Sequence, residues 1–179
     1  MIDGLIVERP GSADLDSAYT VLERAIAQAF EDEGIPEQEA KEEIEFKKSL
    51  ILQSVEGRQA ELVFMVAKLE GQVVGTSSYG PCGDDVRECT NGELAGLGEL
   101  GGLYVLPEYQ GQGVASAMIA AMLNYLHSIG IEQFCLDCGL KEAQKIWRHK
   151  FGAPYAVAKD YWGEGSDHLV WLCNVADYL

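Results

Sequence analysis

A mixed α/β domain is the fold class this chain predicts, and three observations carry it. Apolar residues recur at helical spacing in some segments, while others are short apolar runs bounded by turn residues. The two kinds of segment interleave rather than grouping at opposite ends, in the order β-α-α-β-β-β-α-β-α-β-β. No linker-like shift in composition, repeat or low-complexity stretch interrupts them, so residues 1–179 read as a single domain. With 47% apolar content over 179 residues, the core has enough material to be sizeable.

Residues 5–7 read as a short first strand. Residues 14–30 carry Ala18, Val21, Leu22, Ala25, Ile26 and Ala29 on one helical face. Residues 31–34 end that helix, and Pro36 fits the first turn of the next. The second helix aligns Ala40, Ile44, Ile51 and Val55, with Glu37/Lys41 and Glu43/Lys47 as favourable pairs on its outside. Residues 62–69 and 73–79 form a hairpin around Glu70-Gly71-Gln72. Residues 80–92 are polar and read as a turn-rich loop. An apolar strand then ends at Leu106, and a glycine turn opens into a helix bearing Val114, Met118, Met122 and Leu126, stopped by Gly130. Residues 134–138 read as a strand and 141–150 as a short helix. Residues 155–158 and 168–173 close the domain as an antiparallel pair, with 160–167 as a long turn. The sum is about seven strands and four helices.

Charge excludes one class of function. Thirteen Lys and Arg stand against 29 Asp and Glu, a formal charge of −16, and nucleic-acid affinity rests on neutralising phosphates. No nucleic-acid partner is expected. The anionic surface favours solubility and cationic partners. Five cysteines outside any short secreted framework, with no leader-like segment at Met1-Ile2-Asp3-Gly4, give a cytoplasmic protein with reduced thiols as the expectation. Residues 109–131 lack Asp, Glu, Lys and Arg, but Gln110, Gln112, Ser116, Asn124, His127 and Ser128 interrupt them, so a buried amphipathic helix is expected and no membrane span.

The glycine turn carries the function. Gln110-Gly111-Gln112-Gly113-Val114-Ala115 joins a strand to a helix start, where unpaired backbone N–H groups and the positive end of the helix dipole can hold a phosphate without a basic side chain. Gly111-x-Gly113-x-x-Ser116 partly mimics a dinucleotide fingerprint, with Glu132 near the position of a ribose-binding acid. Its third glycine is missing, however, and two helices and a hairpin precede it. Leu103-Tyr104-Val105-Leu106, then Pro107-Glu108-Tyr109, then Gln110, Gly113 and Ala115, instead resembles the signature of the GNAT superfamily of acyl-CoA-dependent N-acyltransferases. That signature is a strand, a Pro-x-aromatic turn and Arg/Gln-x-x-Gly-x-Gly/Ala at a helix start. The order of elements resembles the family over nearly the whole chain.

The resemblance implies a GNAT-like central mixed sheet and acetyl-CoA as co-substrate. Backbone amides of Gln110, Gly111, Gln112, Gly113, Val114, Ala115 and Ser116 would take the pyrophosphate, and the backbone of Leu103, Tyr104 and Val105 would pair with the pantetheine arm. It also implies direct attack on the thioester by an amine of a small molecule or peptide, in a ternary complex. A base must first deprotonate that amine. Glu99 is the candidate, where some relatives carry a glutamate on this strand. Residues 99, 101, 103 and 105 share one face unless a bulge at Gly101-Gly102 intervenes.

The general acid departs from the family pattern. Relatives carry Asn-x-x-Ala, a Leu-Tyr pair and Gly-Phe; here Leu140 replaces the asparagine, and Trp147 or Arg148 falls at the tyrosine position. Neither donates a proton readily. Tyr155, Tyr161, Cys138 or solvent could substitute, and Tyr155 is the catalytic candidate carried forward. Glu31, Asp32, Glu33, Glu37, Glu39, Glu42, Glu43 and Glu45 crowd the region that borders the acceptor site in the family, which suits a cationic acceptor. No metal is expected, because Cys135 and Cys138, three apart on a strand, point to opposite faces and the three histidines are scattered. A homodimer is allowed for. The competing reading is an acyl-CoA-binding regulatory module without turnover.

Overall fold

The computed structural model describes residues 2–179; Met1, where the segment read for a leader begins, lies outside them. Along the chain run β1 (Ile6–Glu8), α1 (Leu15–Asp32), α2 (Glu37–Val55), β2 (Val63–Leu69), β3 (Gln72–Pro81), α3 (Asp84–Cys89) and β4 (Gly98–Val105). Then follow α4 (Val114–Ser128), β5 (Gln133–Cys138), α5 (Lys141–Phe151), β6 (Ala156–Ala158) and β7 (His168–Asn174). The strands are hydrogen-bonded in the order β1-β2-β3-β4-β5-β7-β6. Among the described residues there are thus seven strands, as the pattern predicts, and five helices rather than four.

The fifth helix is α3, inside residues 80–92, which read as a loop. Its six residues include one fully buried apolar side chain, Val86, so there is no periodicity to detect. The helix starts at Gly83 in extended backbone, and Asp84 and Asp85 occupy its first turn, where the dipole favours acids.

The chain divides into two compact units. In the first, residues 2–79 with Gly102–Tyr125, α1 offers Ala18, Val21, Leu22 and Ile26 to a core with Ile44 and Ile51, Phe64 and Val66, and Val114 and Met118. Each large aliphatic or aromatic side chain buried here contributes about 1.5–3 kcal/mol. Pro36 stands at the N-cap of α2, one residue ahead of the predicted place, and its carbonyl accepts from the amides of Glu39 and Ala40. The β2–β3 hairpin turns at Glu70 and Gly71, both with positive φ, the type I′ geometry that matches strand twist.

In the second unit, Gly80–Gly101 with Leu126–Leu179, β5 lies between a parallel neighbour, β4, and an antiparallel one, β7, and β6 pairs with β7 as predicted. Val86 packs with Cys82, Leu94, Cys135 and Val170. Phe151 anchors the end of α5 edge-on to Phe134 and Tyr178, at 6.0 and 4.9 Å, and Trp147 stacks obliquely on it at 5.8 Å. The buried Trp171 donates its indole N–H to the Gly152 carbonyl at 3.0 Å.

Candidate active site

The segment expected to hold the cofactor belongs to the first unit. Leu106 ends the strand by donating its amide to Val74 O at 3.0 Å, and residues 107–109 form one 3-10 turn. Gly111 and Gly113 then adopt φ of +71° and +89°, a region that β-carbon sterics deny to most residues. Both are exposed, whereas Val114 is buried and pins the start of α4. Ala117 N–H donates to Gly113 O at 3.0 Å, which places the amides of Val114, Ala115 and Ser116 ahead of the helical ladder. The glutamines fold back: Gln110 Nε2 donates to Val105 O at 3.0 Å and Gln112 Nε2 to Glu108 O at 2.7 Å. Carbonyls are thereby occupied while amides gather at a positive helix end, which suits a phosphate.

Strand β4 does not keep the simple alternation. Leu100 and Gly102 are buried, but the next buried position is Val105, an odd step that breaks the shared face expected for residues 99, 101, 103 and 105. The cause is Gly102, at φ +56°. A β-carbon there would sit 2.6 Å from Ser78 Oγ, and its carbonyl accepts from Thr76 Oγ1 at 2.9 Å. The bulge turns Leu103 and Tyr104 into partly buried positions, and the Tyr104 hydroxyl donates to Glu43 on α2 at 3.3 Å. Of the eight acids between residues 31 and 45, Glu43 is therefore held against β4, and it also pairs with Lys47 at 3.6 Å. Glu37 and Glu45 are paired to Lys41 and Lys48.

The candidate proton-transfer residues belong to the second unit. Glu99 is half-buried on β4, opposite Cys135 in the parallel register, and its Oε2 accepts the Gly83 amide at 2.7 Å, at the N-cap of α3. Burial first, and then the Glu99 carboxylate, push the Cys135 thiol up, so it stays protonated. Tyr155 is 47% exposed and donates to the Glu93 carboxylate, which with partial burial raises its pKa. Tyr161 lies 2.5 Å from Glu88 and 2.9 Å from Asp85, and these acids raise its pKa strongly, Glu88 the more. One phenolic proton thus serves two carboxylates. Cys138 points its thiol at Leu140 O, 3.4 Å away.

One grouping in this unit was not anticipated from the sequence. Donor atoms of Asp85, Asp137 and His168 lie within 4.8 Å of one another. Trp162 donates its indole N–H to His168 Nδ1 at 3.0 Å, and an indole can only donate, so the His168 proton sits on Nε2 and points to Asp137 Oδ2 at 2.9 Å. A cation on Nε2 would leave the ring an imidazolate accepting from tryptophan, an unfavourable charge state. The arrangement is a hydrogen-bond chain, running from the exposed Trp162 through the buried His168 to Asp137, that fixes one tautomer. The sequence signal was faint: Asp137 and His168 are 31 positions apart and meet through the β5–β7 pairing.

A mixed α/β chain whose strand passes through two positive-φ glycines into a helix start presents main-chain amides of the kind that suit a nucleotide-like anion. Comparison narrows the class. The model of the acetyltransferase (GNAT) family matches residues 21–153, and the chain belongs to that family. No curated protein matches it by sequence. Solved structures that it resembles include a GNAT-family protein from Desulfovibrio desulfuricans, with TM-score 0.71 and 18% identity, covering 96% of this chain and 99% of that one. The PaiA N-acetyltransferase of Thermoplasma acidophilum, in complex with coenzyme A, gives TM-score 0.69 at 14% identity over 95% and 98%. The ribosomal-protein-S18-alanine N-acetyltransferase of Escherichia coli gives 0.64 at 16% over 96% and 94%. At these identities the likeness is one of fold, and the fold is that of GNAT acetyltransferases.

Proposed function

We propose that the protein is an N-acetyltransferase that moves an acetyl group from acetyl-CoA to a primary amine of a small molecule or peptide, by direct attack in a ternary complex. The observation that carries this reading is the turn at residues 110–116, where two positive-φ glycines and a helix start gather backbone amides at an exposed point. Those residues fit a pyrophosphate. The coenzyme A bound to the Thermoplasma relative supports the same ligand.

Acetyl-CoA, when bound, supplies an activated acyl group and a thiolate leaving group. The amides of Val114, Ala115 and Ser116 bind its pyrophosphate, and the backbone of Leu103, Tyr104 and Val105 orients its arm. Glu99 removes a proton from the acceptor ammonium, freeing the nitrogen lone pair for attack. Tyr155 is the candidate donor to the departing sulfur, and serves only after its hydroxyl leaves Glu93. Glu43, held beside β4 by Tyr104, supports a cationic acceptor.

One observation favours a second reading, a regulatory module that binds acyl-CoA without turnover. The hydroxyls of Tyr155 and Tyr161 are both engaged by carboxylates. Thiol release measured with acetyl-CoA and a panel of polyamines, aminoglycosides, amino acids and peptides separates the two. Acceptor-dependent release supports the transferase; tight coenzyme A binding with no release from any acceptor establishes the module.

A further inference from the structure

We propose that Arg24 and Glu108 form a latch that ties α1 to the phosphate-binding turn, making Arg24 a positioning residue for acyl-CoA. The inference rests on the reading of that turn as the pyrophosphate site. Arg24 Nη1 meets Glu108 Oε1 at 2.8 Å and Nη2 meets Oε2 at 3.0 Å, a two-pronged pair. Each partner is the largest cause of the other's shift: Glu108 raises the Arg24 pKa, and Arg24 lowers that of Glu108. The turn is exposed and contains glycines at 111 and 113, so a ligand that needs it ordered works against its conformational freedom.

Three side-chain contacts oppose that freedom. Gln110 to Val105 O and Gln112 to Glu108 O stay within the segment, at 3.0 and 2.7 Å. The third, at Glu108, reaches 84 positions back to α1. Glu108 is thus held from both ends: its carboxylate by Arg24 and its carbonyl by Gln112, whose neighbour Gly113 opens the helix. The adjacent residue on α1, Glu23, pairs with Lys48 of α2. One helix turn therefore fastens the cofactor turn and the second helix together.

The latch predicts a sign that simple charge does not. Coenzyme A is a polyanion, so deleting the negative charge of Glu108 should strengthen its binding if the residue acts only through Coulomb's law. If Glu108 positions the turn, deleting it weakens binding. Arg24→Ala and Glu108→Gln are each expected to raise the Kd for free coenzyme A, measured by calorimetry, about two- to fivefold, the scale of an exposed ion pair. The double variant should be no weaker than either single, and the exchange Arg24→Glu with Glu108→Arg should recover most of the loss. kcat at saturating acetyl-CoA should change less than about twofold, since the latch acts before chemistry. Unchanged or tighter binding by Glu108→Gln overturns the latch, and weakening confined to Arg24→Ala makes Arg24 a direct anion ligand instead. Gly113→Val serves as the control. If it alone weakens binding, only the latch fails; if it too binds normally, the pyrophosphate reading fails and the latch with it.

Discussion

The proposed phosphate turn and the candidate proton-transfer residues are built on opposite principles. Between Val105 and Ser116 the useful groups are main-chain amides, placed by two positive-φ glycines and two back-folded glutamines. Around Glu99, Tyr155 and Tyr161 they are side chains, and each has a partner from a distant stretch: Gly83, Glu93, or Asp85 with Glu88. A backbone dipole neither titrates nor swings away, so the first arrangement keeps its function over a wide pH range. A hydroxyl already donating to a carboxylate must change partner to act. The contrast teaches that the proposed binding is preorganised here, while the proposed catalysis depends on which hydrogen bonds can be exchanged.

The sharpest way to break this contrast is Glu99→Gln. It should lower kcat about a hundredfold, the scale of a lost general base, and leave the KM for acetyl-CoA unchanged. Full kcat across the pH range would remove Glu99 from the mechanism. Next comes Gly113→Val, which places a β-branched residue at φ +89°. The strain is about 1–2 kcal/mol, so the KM for acetyl-CoA should rise roughly tenfold with kcat retained. A normal KM would show that the turn is not the cofactor site.

A smaller effect tests whether side-chain networks also govern stability. Asp14 is buried, accepts the Gly11 amide at 2.8 Å and pairs with Lys68 at 2.8 Å, and the Lys68 hydrogen bond lowers its pKa. A carboxylate lowered on folding stabilises above its unfolded pKa, and the contribution is lost as pH falls through the folded value. Asp14→Asn should therefore cost about 1 kcal/mol near neutral pH, and the difference from the parent should shrink as pH drops below about 4. A difference independent of pH would assign the effect to packing. The smallest expected change is Tyr155→Phe, a loss of about threefold in kcat, because its hydroxyl is engaged by Glu93 and solvent can protonate a thiolate. A loss near a hundredfold would instead establish Tyr155 as the full general acid.

What the sequence revealed follows the same division. The β2–β3 turn, the second helix after Pro36 and the helix after Gly113 are local events, written in residues a few positions apart. Val114, Met118, Met122 and Leu126 are all buried as their spacing predicts. Helix α3 escaped notice because only Val86 of its six residues is fully buried. The shared face of β4 is expected only if no bulge falls at Gly101-Gly102; Gly102 at φ +56° marks that break, and one shifted residue reverses every side chain beyond it. The Trp162–His168–Asp137 chain and the Arg24–Glu108 pair join residues brought together only by folding, and single-sequence periodicity carries no such information.

The position of the Val114, Ala115 and Ser116 amides ahead of the α4 ladder bears on how this protein can be interrogated. Alanine in place of the exposed Ser116 would pass over its amide almost in silence, since the replacement leaves the peptide N–H where it was. Residue 115 is already alanine. Only changes to the main chain itself would register: a proline that deletes a donor, or an ester in place of an amide bond. On the proposed reading, the groups that matter most to the ligand are main-chain ones that a side-chain map does not register.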